Sequence, residues 1–154
     1  MYVFYLIITA VMVAADIITK HFASAFLKNG ASVPLIKDVF HLTYCENTGG
    51  AFSIFSGNPY LLAGVSLAVI VGAAVYVIVK KPRSHILLTS IGMIAAGGLG
   101  NIIDRITKGY VVDFFDFRLI NFAIFNVADI FVCLGMALLV IYVLFIYDKA
   151  EKEK

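Results

Sequence analysis

Two acidic side chains, Asp113 and Asp129, stand in stretches of the chain that are otherwise strongly apolar. Asp113 has two valines before it and two phenylalanines after it, and Asp129 lies at the head of a long apolar run. An ionisable group near or within a membrane is costly, so it is first examined as a candidate functional residue. Two carboxyl groups that converge in the fold could perform acid–base chemistry.

Asp129 also has a purely structural explanation. Asn126 is a residue type favoured at helix N-caps, which would place Asp129 in the first helical turn. The helix dipole favours a carboxylate there, typically by ~0.3–1 kcal/mol. The residues alone leave the structural and catalytic interpretations open, and the two are compatible. Asp113 has no cation within three residues, so it needs a partner from elsewhere in the fold, whereas Asp116 lies close to Arg118 and is interpreted as a surface acid.

The composition indicates that the bilayer is the main solvent of the elements that position these acids. The chain has 154 residues, of which 62% are hydrophobic and 14% charged. Soluble proteins are usually only ~45–50% apolar. A formal net charge of +2 gives no argument for nucleic acid as a partner. We therefore expect one integral membrane domain over residues 1–154.

Four segments are long enough to cross a membrane, which takes roughly 20 mainly apolar residues. They are residues 2–26, 60–79, 85–103 and 128–147. The first lacks a basic flank and is interpreted as a retained helix, not a cleaved signal peptide. Strand-like β-branched and aromatic residues fill 39–44 and 110–112 in the two longer connections. The predicted fold is a membrane all-α protein with a small β element: a four-transmembrane-helix bundle with a small extracytoplasmic β-sheet.

The placement of lysine and arginine predicts the orientation of the bundle. The two sides carry equal numbers of these cations, but the segment 80–83 is a dense Lys-Lys-Pro-Arg turn. Three more lysines follow in the C-terminal tail, at Lys149, Lys152 and Lys154. By the positive-inside rule both termini and this turn lie in the cytoplasm, and the two longer connections face outward.

Other polar side chains gather near the same predicted outer face. Asp16 and Lys20 are four residues apart and share a helix face. They form either an interfacial ion pair, with Lys20 snorkelling outward, or an anchor for a nearby site. Asp104 continues a face of small residues and should point into the bundle. Arg105 beside it either closes a helix-end salt bridge or directs its fork of donors at carboxylate or carbonyl oxygens.

Small residues recur every four positions in two of the spans, a pattern that lets helix backbones approach closely. The second span carries Gly64, Ala68 and Gly72, and the third carries Gly92, Ala96 and Gly100. Both stripes are predicted to mediate helix packing. The two cysteines, Cys45 and Cys133, fall in different surroundings and are predicted not to pair.

Five stretches, taken together and in order, resemble the lipoprotein signal peptidase family, the type II signal peptidases that act on bacterial prolipoproteins. These stretches are residues 16–20, 47–53, 97–105, 109–114 and 125–129. The resemblance implies that Asp113 and Asp129 are the catalytic aspartates. It also implies a set of substrate-binding or supporting residues, namely Asn47, Gly49, Asn101, Arg105, Asn126, Asp16 and Asp104.

The resemblance also implies a function. It predicts an aspartic endopeptidase that removes the signal peptide of diacylglyceryl-modified prolipoproteins, cutting before the lipidated cysteine by a water-activating mechanism. The expected partners are the diacylated prolipoprotein and membrane lipid, with no nucleic acid, metal or cofactor. The expected setting is the bacterial cytoplasmic membrane, with a monomer whose active site is near the outer face. One departure is that Phe122-Ala123-Ile124 stands where the family often has a Trp-Pro pair. This departure concerns the lid over the site and substrate preference.

Three other classes of protein remain as alternatives. A transporter or channel would place acids along a path through the bilayer, whereas the centres of these spans lack charge. A metal-dependent hydrolase would need close ligand spacing, which His21, His41 and His85 do not show. A non-catalytic membrane scaffold is the third alternative.

Overall fold

The computed structural model describes residues 1–30, 32–50 and 57–147. Within these residues the chain forms four α-helices, three β-strands and one short 3-10 turn at Arg118–Ile120. The helices are α1 (Tyr2–Leu27), α2 (Pro59–Lys80), α3 (His85–Lys108) and α4 (Val127–Phe145). The strands are β1 (Val33–Ile36), β2 (Phe40–Asn47) and β3 (Val111–Phe117). The predictions that involve residues 51–53 and the tail lysines Lys149, Lys152 and Lys154 fall outside the described residues.

All four helices are long and apolar enough to cross a membrane. The predicted fold class is confirmed, and the predicted spans match the helices to within a few residues at most ends. The largest difference is at α3, which continues to Lys108 and not to residue 103. Its last turns carry the polar side chains Asn101, Asp104 and Arg105, which make hydrogen bonds within the protein. The helix can therefore continue beyond the end of the apolar segment. Gly109 ends the helix in the left-handed conformation with φ of 79°, which glycine adopts without strain.

Helix α3 is the central element of the bundle and packs against the other three helices. Its small residues make this possible. Gly92 lies against Thr9 of α1, and Ala96 is fully buried. Gly100 lies between Asp16 of α1 and Ala128 of α4. The packing role predicted for this stripe is therefore confirmed.

The stripe on α2 does not pack in the same way, and that prediction is wrong. Gly64, Ala68 and Gly72 are all exposed. A Cβ atom added at Gly64 or Gly72 would meet nothing within 4 Å. Helix α2 meets α3 on another face, where Ile70 contacts Gly98. Small residues at this spacing permit close approach, but they do not determine which face of a helix is used.

The three strands form one antiparallel sheet in the order β1-β2-β3. It joins the end of the bundle where α1 and α3 finish and α2 and α4 begin. Val112 and Phe114 of β3 pack on Ala23 of α1. Because side chains alternate along a strand, Asp113 projects from the other face. The sequence predicted β2 and β3 but not β1, which is a four-residue edge strand containing Pro34.

Candidate active site

Asp129 is held by the first turn of α4. The Asn126 side-chain oxygen accepts the backbone N–H of Asp129 at 2.9 Å, and Asp129 Oδ2 accepts the backbone N–H of Asn126 at 3.1 Å. This reciprocal capping box confirms the structural role predicted for the two residues. Asp129 Oδ1 points elsewhere and accepts a hydrogen bond from Asn101 Nδ2 at 2.9 Å. The cap therefore fixes one carboxylate oxygen and leaves the other to the site.

Asp113 lies on β3, in the connection between α3 and α4, and is only 2% exposed. Its Oδ1 accepts from Asn126 Nδ2 at 2.6 Å, and its Oδ2 accepts from Asn47 Nδ2 at 2.9 Å. The sequence predicted that its partner would come from elsewhere in the fold, and the structure supplies two. Both partners are neutral amides, and Asn126 contacts both aspartates.

Three asparagines thus face the aspartate pair, and each has its amide orientation determined by a second contact. Asn47 Oδ1 accepts the backbone N–H of Gly49 at 2.9 Å. Asn126 Oδ1 accepts the helix-capping N–H described above. Asn101 Oδ1 accepts from Lys20 Nζ at 2.8 Å. Each amide oxygen is occupied by a group that can only donate, so each NH₂ faces a carboxylate. Every oxygen of the pair consequently accepts an N–H.

The surroundings of Asp113 change its acidity. Burial, followed by the neighbouring charge of Asp129, raises the pKa of Asp113 from 3.8 to about 6. The amides of Asn47 and Asn126 and the charge of Lys20 oppose this shift but do not cancel it. Asp113 is therefore suited to hold a proton in the mildly acid range, beside a second carboxyl group.

A second group of ionisable residues lies behind the pair, and we call Asp16, Lys20, Asp104 and Lys108 the ionic cluster. Lys20 is 2% exposed, and its Nζ lies 2.8 Å from Asp16 Oδ2 and 3.4 Å from Asp104 Oδ2. Lys108 Nζ lies 2.7 Å from Asp104 Oδ1. The predicted Asp16–Lys20 pair is confirmed, but its outward snorkelling is wrong, because the acceptor oxygens lie inside the bundle. Sequence reasoning missed Lys20 as a site residue, and its helical spacing from Asp16 was the available signal.

The two acids of the ionic cluster also position the backbone that carries the aspartate pair. Asp16 Oδ1 accepts the backbone N–H of Ala128 at 2.9 Å. Asp104 Oδ2 accepts the backbone N–H of Val112 at 3.1 Å. Ala128 and Val112 are the residues immediately before the two site aspartates. Asp104 points into the bundle as predicted, and Asp16 is an anchor as well as an ion-pair partner.

Arg105 lies between the α3 end and the first connection. It is 7% exposed, and its Nη2 donates to the carbonyl oxygen of Gly49 at 3.0 Å. This contact favours the carbonyl-directed interpretation over the helix-end salt bridge. Its buried Nε has no hydrogen-bond partner among the described residues. Arg105 therefore carries one buried N–H group that no acceptor among the described residues satisfies.

The aspartate pair lines a cleft of about 670 Å³. The polar part of its lining includes Asn47, Asn101, Arg105, Asp113 and Asp129. Apolar residues of α4 and of the segment before it form another part, namely Phe122, Ala123, Ile124, Phe125, Ile130, Val132 and Leu134. Both cysteines line the same cleft as free thiols, so the predicted absence of a disulfide between them is confirmed. Within the described ranges, no three His, Cys, Asp or Glu side chains are grouped to hold a metal ion.

The structure corrects the interpretation of Asp116 as a surface acid. Its predicted contact with Arg118 is present, with Nε 2.8 Å from Oδ2. However, the residue is only 8% exposed and also accepts from the Thr43 hydroxyl at 2.7 Å, so it is not a surface acid. Burial opposes its ionisation, but these two donors outweigh burial and hold the pKa of Asp116 below its usual value. Asp116 is not part of the cleft lining.

Comparison with known proteins agrees with this geometry. A family model described as "Signal peptidase (SPase) II" matches residues 8–145. The lipoprotein signal peptidase of Clostridioides difficile (strain 630) is 39% identical over 147 residues, covering 96% of this chain and 99% of that protein. The lipoprotein signal peptidase of Halothermothrix orenii is 42% identical over 136 residues, covering 88% of this chain and 92% of that protein.

Two solved structures of bacterial membrane enzymes have the same fold. One is 30% identical with a TM-score of 0.84, covering 91% of this chain and 87% of that one. The other is 29% identical with a TM-score of 0.82, covering 92% and 93%. Together with the four apolar helices, these matches define a multi-pass membrane protein of the peptidase class. Within that class, the chain belongs to the signal peptidase II family.

Proposed function

We propose that this protein removes the signal peptide from bacterial prolipoproteins, cutting before a diacylglyceryl-modified cysteine, with Asp113 and Asp129 as the catalytic pair. The observation that supports the pair most strongly is their joint position in one cleft, with Asn126 hydrogen-bonded to both. Membership of the family supports the substrate class. The diacyl chains of such a substrate are apolar, and so is the part of the cleft that α4 and the segment before it form.

The proposed reaction is general acid–base hydrolysis without a covalent intermediate. In this proposal the two carboxyl groups share one proton. The ionised carboxylate takes a proton from a water molecule, whose oxygen attacks the scissile carbonyl carbon. The protonated carboxyl group hydrogen-bonds the carbonyl oxygen as negative charge develops there. A proton then passes to the leaving nitrogen, and the carbon–nitrogen bond breaks. The amide N–H groups around the pair hold both carboxyl groups in place during these proton transfers.

The residues around the pair suggest how the substrate is held. Arg105 lines the cleft and is oriented by the Gly49 carbonyl, so its guanidinium group is placed to bind a peptide or lipid-ester oxygen. Gly49 and Gly50 allow the main chain to pass close to an extended peptide. Asn47, which contacts Asp113, is next to them and lines the cleft.

The proposed setting is the bacterial cytoplasmic membrane, with both termini in the cytoplasm and the cleft near the outer face. Support comes from the arrangement of charge along the bundle. The cations Lys80, Lys81 and Arg83 are exposed in the turn between α2 and α3. The aspartate pair lies where α3 ends and α4 begins, at the opposite end of the helices. The protein would act there as a monomer in contact with membrane lipid.

The catalytic assignment is tested with a diacylated prolipoprotein and purified variants, following loss of the signal peptide on a gel. Asp113→Asn and Asp129→Asn should each abolish cleavage, a loss of at least a thousandfold, while the protein still folds in the membrane fraction. Asp116→Asn is the matched control, because it alters an acid three residues from Asp113 on the same strand. It should retain near-normal activity. Near-normal cleavage by either of the first two variants would refute the catalytic pair.

A further inference from the structure

Lys20 is buried behind the cleft and does not line it. Three oxygen atoms surround its ammonium group, from Asp16, Asp104 and Asn101, at 2.8, 3.4 and 2.8 Å. The Asn101 contact differs from the other two because Asn101 has its other amide atom on Asp129, at 2.9 Å. A single side chain therefore separates a buried cation from the aspartate pair.

The chemistry of the two groups makes this contact directional. An ammonium group has three donors and no acceptor, so it can meet Asn101 only through the amide oxygen. Asn126 Nδ2 also donates to that oxygen, at 3.2 Å. With the oxygen held from two sides, Asn101 must present its NH₂ to Asp129. A 180° rotation of the amide would place NH₂ against the Lys20 ammonium and oxygen against a carboxylate oxygen.

We infer that Lys20 is a positioning residue of the active site, whose ammonium fixes the amide of Asn101 so that an N–H group faces Asp129. This inference rests on the proposed function of the aspartate pair and extends it. Lys20 is the charged and the closer of the two donors to the Asn101 oxygen, at 2.8 Å against 3.2 Å for Asn126 Nδ2, so it contributes most to the orientation that gives Asp129 a hydrogen bond. Lys20 thereby influences the proton held by the pair without touching the substrate.

The charged groups that face this region from each element are few. Helix α1 contributes Asp16, and α3 contributes Asp104, Arg105 and Lys108. Strand β3 contributes Asp113 and α4 contributes Asp129. Without Lys20 the Asn101 oxygen keeps only the longer contact from Asn126 Nδ2, at 3.2 Å, so the N–H that Asn101 donates to Asp129 is held less firmly. It also loses a nearby positive charge that lowers the pKa of Asp113. Both changes disfavour the ionised form.

The expected consequence is a change in the pH profile and not a uniform loss of activity. In Lys20→Met, both limbs of the pH profile of kcat/KM should move to higher pH by roughly one unit, because each ionisation of the pair becomes less favourable. The ratio of the rates at pH 5 and pH 7.5 should fall about tenfold, which corresponds to one pKa unit. A residue that only stabilises the fold would lower the rate by the same factor at every pH.

Two further variants separate this mechanism from others. Asp16→Asn combined with Lys20→Met keeps the charge balanced, retains an oxygen for the Ala128 N–H and leaves Asp104 paired with Lys108. This double variant decides the question if Lys20→Met alone does not fold, and it should show the same displacement of the pH profile. Lys108→Met is the matched control, because Lys108 contacts Asp104 but is more exposed and has no contact with Asn101 among those described. It should keep the wild-type profile.

The measurement is kcat/KM for cleavage of diacylated prolipoprotein by folded protein in detergent. It is made between about pH 4.5 and 8.5, a range that brackets the pKa of Asp113. A displaced limb in both Lys20 variants, with Lys108→Met unchanged, supports the inference. An unchanged limb in a folded Lys20 variant refutes it. A limb that returns to the wild-type position in the double variant also refutes it, because net charge would then explain the effect. Failure of the catalytic assignment is distinguishable, because it would show as cleavage by Asp113→Asn or Asp129→Asn.

Discussion

The ionic cluster and the aspartate pair are neighbouring groups of carboxyls, all buried except the partly exposed Asp129, that the fold treats in opposite ways. In the ionic cluster, Asp16 and Asp104 lie against the ammonium groups of Lys20 and Lys108. In the aspartate pair, each carboxylate oxygen accepts a hydrogen bond from an amide N–H group. Charge compensation makes the first group a brace for the backbone. Neutral donors leave the charge of the second group uncompensated, as its proposed acid–base role requires.

The two groups are also physically connected. Asn101 joins Lys20 to Asp129, and Asp16 and Asp104 hold the residues before the two site aspartates. The positions of Asp113 and Asp129 thus depend on a second set of carboxyl groups, Asp16 and Asp104, whose charges are balanced by lysines. The comparison predicts that damage to the ionic cluster reduces stability, whereas neutralising the aspartate pair reduces activity and increases stability.

The largest effect on stability is expected from Asp16→Ala. Breaking one side of a buried ion pair leaves an uncompensated charge and costs about 3–5 kcal/mol. The Ala128 N–H would also lose its acceptor. Thermal unfolding in detergent measures the loss, and Asp16→Asn should be less affected because it retains an oxygen for that N–H. A melting temperature equal to that of the wild type would contradict a bracing role for the ionic cluster.

Asp113→Asn should have a smaller effect of the opposite sign. The folded-state pKa of Asp113 is raised from 3.8 to about 6, so ionising it costs stability. That cost is fully present above pH 6, is reduced as pH falls through the folded-state value, and is absent below the unfolded value near 4. Two pKa units correspond to roughly 2–3 kcal/mol. We expect the variant to melt above the wild type at pH 7.5, with the difference lost at pH 4. A variant less stable than the wild type at pH 7.5 would contradict the account.

A still smaller effect is expected from changes at two glycines of the small-residue stripes. A methyl group at Gly100 would collide with the Asp16 carboxylate, so Gly100→Ala should destabilise the ionic cluster by about 1–3 kcal/mol. Gly72→Ala is the matched control, because nothing lies within 4 Å of the added atom. Its melting temperature should be unchanged or slightly raised, since alanine favours helix. Equal effects of the two changes would show that the α3 stripe is not selectively packed.

Much of the fold could be predicted because its determinants are local. Apolar segment length gives the four helices, and the Asn126 and Asp129 spacing gives the cap that orients one aspartate. What escaped prediction depends on tertiary partners. Lys20 turns inward because Asp104 and Asn101, more than eighty residues later in the chain, provide oxygens for it. The packing predicted for the α2 stripe was wrong, and β1 was not predicted, for a similar reason. Neither local pattern shows which neighbouring element a face or strand will meet.

The candidate site was predictable to a similar extent. Apolar context and the ordered motifs identified Asp113 and Asp129, and the structure places both in one cleft. The orientation of the amides around them was not predictable. It depends on second contacts such as the Gly49 N–H and the Lys20 ammonium, which only the assembled fold provides.

The most direct test of the shared proton is the pH dependence of kcat/KM for wild-type cleavage of a diacylated prolipoprotein. The account predicts a bell-shaped profile in which activity requires one proton on the pair. Activity should rise as the first carboxyl ionises and fall again above about pH 6, where Asp113 loses its proton. A rate that continues to rise or stays level through pH 8 would contradict the claim that a protonated carboxyl takes part in the reaction.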